Sequence, residues 1–273
     1  MGLASVRPLL AVMRRNFIVN RRAYQWSFFV GNMITAMYTV ALGYFMYVVL
    51  FQRQVDASFV RYSGTSDYMT YLILGAGVYT LSVRTMLNVS RSLISERREG
   101  TLESLFLTPV SRPGYLLAVM IQQTAVSGGE FLLAMLFAWP FGLNLSHVSW
   151  GGVAAAAAAT WVGLFGLSIL LGAVMLYTRD TYLSQNTLFW VIYLVCGLVF
   201  PVQYLPVWVQ VISRWIPVTG AVNLLRAAAM AGQGPAQMLP SLLFYGGLSV
   251  VYLLTGLALM GWVERVALEE VLS

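Results

Sequence analysis

Few residues in this 273-residue chain have side chains of the kind that catalysis usually requires. It has no lysine, so its sixteen basic residues are all arginine. A phosphate-binding loop, a Schiff base and a kinase site each use a lysine, and all three are excluded. The single cysteine, Cys196, cannot form an internal disulfide, and the single histidine, His147, has no second histidine with which to hold zinc. The sequence therefore predicts that this chain binds no metal or cofactor.

The composition is that of a membrane protein. Hydrophobic residues make up 59% of the chain and charged residues only 10%, whereas a soluble domain has about a quarter charged residues. Because backbone groups inside a bilayer must pair within their own segment, each span is expected to be helical. We therefore predict an all-α integral membrane protein, residues 1–273 forming one transmembrane domain without a nucleic-acid partner. Six stretches are long enough to span, at 27–51, 68–90, 115–141, 151–177, 183–200 and 240–263.

The distribution of arginine predicts the orientation. Eleven arginines fall in connections and termini on one side of the predicted bilayer and four on the other. The side richer in arginine is expected to be cytoplasmic, which places both termini and the tail 264–273 there. Arg84 lies inside the second span, and we expect its side chain to extend to the inner surface. The predicted location is a bacterial or archaeal plasma membrane, with the first span retained as a signal anchor.

Residues 1–26 are expected to form a cytoplasmic helix that lies in the lipid headgroup layer. Apolar residues of this segment fall within an arc of about 100° on a helix, and Arg7, Arg14 and Arg21 recur every two turns beside them. Arg15 and Arg22 lie further round. Such a helix would turn its arginines towards anionic lipid. A basic leader that only sets the topology is the alternative. The apolar residues are Val6, Leu9, Leu10, Met13 and Phe17.

The longest charged passage, 95–112, follows the second span. Gly100 is expected to end the helix that leaves the membrane, and Thr101 can begin a new helix, which Pro109 ends. This helix has barely two turns and is marginal by itself. An apolar face with a charged rim is typical of a docking element for a cytoplasmic partner. The face consists of Leu102, Leu105 and Phe106, and the rim includes Glu99 and Glu103.

The passage 96–112, ERREGTLESLFLTPVSR, resembles the cytoplasmic signature of type-2 ATP-binding cassette exporter permeases. The resemblance extends over nearly the whole chain. It implies that the segment is a coupling helix seated in a groove of a separate ATPase subunit. A generic charged loop is the alternative. The coupling residues so implied are Glu96, Glu99, Gly100, Thr101, Leu102, Glu103, Leu105, Phe106 and Pro109.

The resemblance also implies the function. Two permease subunits, identical or related, would enclose a path, and two ATPase subunits holding ATP and Mg²⁺ would drive it from the cytoplasm. With 14% aromatic residues and few charges, the path suits an amphipathic or hydrophobic substrate such as a drug, antibiotic, lipid or glycan-lipid. Similarity is closer to drug and antibiotic exporters than to polysaccharide exporters.

The segment 201–226 precedes the last span on the outer side. Pro201, Pro206 and Pro217 break any continuous helix, while Trp208 and Trp215 keep the segment apolar. We expect short helices that partly re-enter the outer leaflet. They would serve as an external lid, as the resemblance favours, or as an aromatic anchor.

The third span contains a candidate functional residue inside the membrane, Glu130, which is preceded by the polar residues Gln122, Gln123 and Ser127. A charge at mid-membrane costs about 2.5–3.5 kcal/mol, so such residues are functional candidates. Either Glu130 lines the transport path, or it is protonated and joins two helices. If Glu130 is instead a proton site, the chain would be an ion-gradient-driven transporter or channel subunit. A non-transporting membrane scaffold is a third reading.

Small residues of the fourth span indicate close helix contact. Gly163, Gly166 and Gly172 recur along it, together with an alanine run at 154–159. In lipid, helices associate mainly where small side chains let their backbones approach.

Overall fold

The computed structural model describes residues 6–23, 27–50, 52, 54–101, 112–178 and 190–272. Within these ranges the regular structure is helical and contains no strand. This confirms the all-α prediction, as expected of a chain whose apolar segments must satisfy their own backbone groups.

Nine helices can be given bounds within these ranges. A π-helical turn, Met46–Leu50, extends the second helix, and short 3₁₀ turns follow at Trp139–Phe141 and Val202–Tyr204. Residues 190–195 are also helical. The helices are α1 (Val6–Ala23), α2 (Ser27–Phe45), α3 (Ala57–Ser63), α4 (Tyr68–Arg98), α5 (Arg112–Ala138), α6 (Trp150–Thr178), α7 (Val207–Arg214), α8 (Pro217–Ala229) and α9 (Leu239–Leu272).

Four of the described helical segments are long and apolar enough to cross a bilayer: Tyr68–Glu96, Pro113–Phe141, Trp150–Thr178 and Leu239–Val263. They correspond to the second, third, fourth and sixth predicted spans, and the chain is a multi-pass membrane protein. In the first predicted span, the apolar stretch found within the described helix is Val40–Val49, which is shorter than a bilayer requires. In the fifth, residues 183–189 lie outside the described ranges. The count of six spans therefore stays a prediction.

Helices α6 and α9 pack backbone to backbone. A Cβ atom placed on Gly166 would lie 2.5 Å from the backbone nitrogen of Leu253. One placed on Gly256 would lie 2.9 Å from the carbonyl oxygen of Gly166. The Ser249 hydroxyl donates to the carbonyl oxygen of Tyr245 in its own helix at 2.7 Å and lies 3.3 Å from the carbonyl oxygen of Ala159 in α6. The close packing predicted for the fourth span is confirmed.

Helix α6 also packs against α4 and α8. A Cβ on Gly172 would lie 3.2 Å from the carbonyl oxygen of Ser90 in α4, and one on Gly163 would lie 3.0 Å from the Cβ of Pro217 in α8. Buried apolar side chains of these helices form one continuous core, which includes Val12 of α1. This core holds α4, α5, α6 and α8 in fixed relation to one another.

Among the described side chains of helix α1, some contact this core and others are exposed. Val12 is buried and Met13 packs against the core, whereas Leu10 and Phe17 are 55% and 60% exposed. At the other end of the chain, α9 runs without a break through most of the predicted tail, to Leu272.

Any side chain at Gly256 should separate α6 from α9. We expect Gly256→Ala to cost about 1–3 kcal/mol, because overpacking forces the backbones apart. The expected result is an apparent melting temperature in detergent lower by about 3 °C or more. The matched control is Gly261→Ala in the same helix, where an added Cβ meets nothing within 4 Å. Equal melting temperatures of the two variants would contradict the packing described here.

Candidate functional site

The predicted coupling helix lies mostly outside the described residues. Leu102, Glu103, Leu105, Phe106 and Pro109 fall in the undescribed range 102–111, and their roles stay predictions.

The residues that lead into this segment are described. Helix α4 ends at Arg98, and Gly100 has a left-handed backbone with φ +70°. The backbone N–H of Thr101 then donates to the carbonyl oxygen of Glu96 at 2.9 Å. A left-handed glycine followed by such a bond is a common helix end. The predicted break at Gly100 is confirmed, and Glu99 is exposed beside it.

Glu96 is the centre of a hydrogen-bonded cluster at the end of α4. Nη1 and Nη2 of Arg15 donate to Oε1 and Oε2 at 2.8 and 3.0 Å. The Tyr115 hydroxyl donates to Oε1 at 3.0 Å, and the Thr101 hydroxyl donates to Oε2. Only 6% of Glu96 is exposed. Donors from within the chain therefore occupy both oxygens of this carboxylate.

This Glu96 cluster joins α1, α4 and α5 where the predicted coupling residues begin. A guanidinium that binds a carboxylate through two parallel bonds fixes both distance and orientation. The hydrogen bond to Glu96 raises the pKa of the Arg15 guanidinium above its usual value. The sequence pattern did not predict this pairing. The one feature of the sequence that set Arg15 apart was its position outside the two-turn repeat of Arg7, Arg14 and Arg21.

Arg84 pairs with Glu130, which corrects the expectation that its side chain extends to the inner surface. Its Nη1 donates to Oε1 of Glu130 at 2.6 Å, joining α4 to α5. The Glu130 side chain is 7% exposed and that of Arg84 is 30% exposed. An ion pair is less costly in an apolar environment than either charge alone. The two residues are 46 positions apart, so local sequence did not reveal the partner.

Further polar contacts continue from this pair along the same helices. Asn88 Nδ2 donates to Gln123 Oε1 at 3.1 Å, again between α4 and α5. Trp161 Nε1 of α6 donates to Thr124 Oγ1 at 3.1 Å.

The predicted polar residues of the third span are thus only partly brought together. Gln123 and Glu130, seven positions apart, both face α4, and Ser127 lies one turn from each on that side. Ser127 is 1% exposed and Gln122 is 9% exposed. A transport-path role for these residues stays a prediction.

Each proline of the segment 201–226 stands where a new element begins. Pro201 precedes a 3₁₀ turn, Pro206 directly precedes α7, and Pro217 is the first residue of α8. The predicted breaks are therefore confirmed. Trp208 and Trp215 are 68% and 56% exposed, as an anchor or a lid in contact with lipid requires. Re-entry into the bilayer stays a prediction.

Sequence reasoning missed a buried arginine in α8. Arg226 was counted among the arginines of the outer side, but only 8% of it is exposed. Its guanidinium lies 3.3 Å from the centre of the Tyr71 ring. Nη1 donates to the carbonyl oxygen of Gly197 at 2.7 Å, and Nη2 donates to those of Leu198 and Tyr71 at 2.6 and 2.9 Å. The signal in the sequence was a lone charge in the apolar run AVNLLRAAAM.

Arg226 donates to two carbonyl groups that lie just beyond a helix end. Gly197 and Leu198 follow the helical residues 190–195, where no further helical turn supplies a donor to their carbonyl oxygens. Burial lowers the pKa of the Arg226 guanidinium to about 10, so it stays cationic at neutral pH. On α4, Gly75 leaves room for this contact, since a Cβ there would lie 2.4 Å from Nη2 of Arg226.

Loss of the Glu96 charge should release α1 from the bundle. We expect Glu96→Gln to lower the free energy of unfolding by about 1–3 kcal/mol, because the charged pair with Arg15 is lost. Hydrogen exchange of the α1 amides should become faster. Glu99→Gln, an exposed change three residues away, is the control and should leave α1 protected. Similar exchange in both variants would show that the cluster does not hold α1.

Removal of Arg226 should be far more damaging than removal of an exposed arginine. Arg226→Met removes the donor to the carbonyl groups of Gly197 and Leu198, at about 1–3 kcal/mol each, and an additional donor to the carbonyl group of Tyr71 within α4. We expect a large fall in melting temperature or a loss of folded protein. Arg214→Met is the control, because Arg214 is exposed and its guanidinium lies over the Phe244 ring at 4.9 Å. That contact is worth about 0.5–1 kcal/mol.

Comparison with known proteins supports one family. A family model described as ABC-2 type transporter matches residues 7–230. The match includes α1, the Glu96 cluster, the coupling segment, the Arg84–Glu130 pair and Arg226. No curated protein matches the chain. Because the matched region is well over half of the chain, the protein belongs to the ABC-2 type transporter family.

Proposed function

We propose that this chain is the permease subunit of an ATP-driven exporter and works with a separate ATPase subunit. The family match over residues 7–230 carries the proposal. In this proposal the chain performs no covalent chemistry. Two ATPase subunits hold ATP and Mg²⁺, and a second permease subunit, identical or related, completes the path. Both termini face the cytoplasm of a bacterial or archaeal cell, and the chain lies in its plasma membrane.

The Glu96 cluster supports a route by which ATPase movement reaches the membrane. Thr101 stands directly before the predicted coupling helix and contacts Glu96 through its hydroxyl. Glu96 in turn holds Arg15 of α1 and Tyr115 of α5. A displacement of the segment would therefore pull on three helices together. Helix α4 would carry that displacement into the membrane, since its 31 residues run without interruption from Tyr68 to Arg98.

The substrate that this bundle suits best is amphipathic or hydrophobic. The described residues contain no group of acidic, histidine or cysteine side chains that could hold a metal ion. Aromatic residues make up 14% of the chain and favour apolar contact. A drug, an antibiotic, a lipid or a glycan-lipid fits this description. In this proposal Glu130, Gln122, Gln123 and Ser127 border the path, and the segment 201–226 covers its outer end.

The alternative, an ion-gradient-driven transporter with Glu130 as proton site, is less well supported. Glu130 binds Arg84 at 2.6 Å, so a proton would have to displace a guanidinium from the carboxylate. Carriers of that class also use paired broken helices near mid-membrane. Helices α4 and α5, which hold the pair, are unbroken over 31 and 27 residues.

A negative charge on the apolar face of the coupling helix should prevent binding of the ATPase. We expect the tagged wild-type chain, purified in mild detergent from its native membranes, to retain an ATP-binding cassette ATPase and Mg·ATP hydrolysis. Leu105→Asp and Phe106→Asp should each reduce the retained ATPase at least tenfold, because a buried unpaired carboxylate is costly. Mass spectrometry and phosphate release measure the two quantities.

Ser104→Asp is the matched control, since position 104 lies on the opposite side of a helix from 102, 105 and 106. It should retain the ATPase. Retention by Leu105→Asp and Phe106→Asp would refute the coupling assignment. Proton uptake by the purified chain alone in liposomes under a pH gradient, lost in Glu130→Gln, would refute the exporter and support the alternative.

A further inference from the structure

A cavity of about 430 Å³ lies beside Arg226, at the opposite end of α4 from the Glu96 cluster. Four regions line it: the end of α3 with the turn that follows, Tyr71 of α4, residues 197–203, and α8 with the residues that follow it. Its polar lining includes Tyr62, Ser63, Thr65, Gln203, Asn223 and Arg226. The volume is within the range of small-molecule sites and suits a group of the size of a sugar or a lipid headgroup.

The charge in this cavity is unbalanced. Arg226 is cationic, and no aspartate or glutamate is among the described residues that line the cavity. Of the acidic residues nearby in sequence, Asp67 accepts bonds from the backbone N–H and the hydroxyl of Thr70, and Asp56 is exposed before α3. A buried charge without a counter-ion carries a large desolvation cost.

The role of Arg226 in the fold does not account for this arrangement. Nη1 and Nη2 bind carbonyl oxygens, which are neutral dipoles and leave the net charge in place. Nε is buried and has no hydrogen-bond acceptor within the described part of the chain. Hydrogen bonds from Arg226 to three carbonyl oxygens also do not require an open cavity beside the guanidinium.

We propose that this cavity binds a single anionic group, a phosphate or a carboxylate. The field of Arg226 would hold the negative charge, since Nε itself is covered. Hydroxyl and amide groups of the lining, such as those of Tyr62 and Asn223, would donate to its oxygens. The site is a property of the fold and does not require transport. Only its placement on the outer side, at the end of the export path, depends on the proposed function.

Thermal unfolding of the purified chain in a neutral detergent, without any ATPase, tests the proposal. Inorganic phosphate is titrated at constant ionic strength with chloride as the balancing ion. We expect a saturable rise in melting temperature, because a ligand that binds only the folded state stabilises it. Asn223→Leu removes an exposed amide from the lining and places an apolar group there. It should weaken phosphate binding at least tenfold.

Arg214→Gln controls for general attraction of anions. Arg214 is an arginine of α7 that does not line the cavity, so its loss should change phosphate binding less than twofold. Two further measurements identify which kind of anion the cavity binds. Acetate in place of phosphate tests a carboxylate, and nanodiscs of phosphatidylglycerol compared with phosphatidylcholine test a lipid headgroup.

A saturable response to phosphate or acetate that Asn223→Leu loses supports a soluble anion. Stabilisation by phosphatidylglycerol that Asn223→Leu loses, with no further effect of phosphate, supports a headgroup. The proposal is overturned if wild type responds to none of the three. It is also overturned if Asn223→Leu responds as wild type does. A chain that binds the anion but retains no ATPase would keep this site and lose the proposed function.

Discussion

Charged groups inside an apolar helix bundle are stabilised by partners within the chain, and this constraint accounts for three sets of contacts that join the helices. In lipid, apolar packing alone does not favour one helix arrangement strongly over another. The Glu96 cluster, the Arg84–Glu130 pair and the carbonyl contacts of Arg226 each join helices that are distant in sequence. Glycine contacts between α6 and α9 then allow the bundle to close around them.

Helix α4 takes part in all three sets of contacts. It supplies Tyr71 to Arg226 near one end, Arg84 to Glu130 in the middle and Glu96 to Arg15 at the other end. An unbroken helix fixed at three levels moves as a unit more readily than it bends. A subunit that must pass movement from a cytoplasmic partner to the outer end of a path would benefit from such a helix. The cavity beside Arg226 lies at the end that this movement would reach.

Local sequence was sufficient for features with a local physical cause. The long apolar runs predicted the helices, since a bilayer leaves the backbone no other partner. Gly100 and the three external prolines predicted where elements end and begin, because each restricts the backbone of its own residue. The glycines of the fourth span predicted close packing, although not which helix would approach them.

Partners across the bundle were decided only by the tertiary structure. Arg84 was expected at the inner surface and instead binds Glu130. Arg226 was assigned only to a side of the membrane, and its burial on Tyr71 was not foreseen. The sequence by itself determined that the chain is a bundle of membrane helices, and it predicted a charged segment typical of a permease. It could not determine which charges meet, because pairing depends on the distance between helices in space. That distance is set where backbones pack, and it leaves no periodic pattern along the chain.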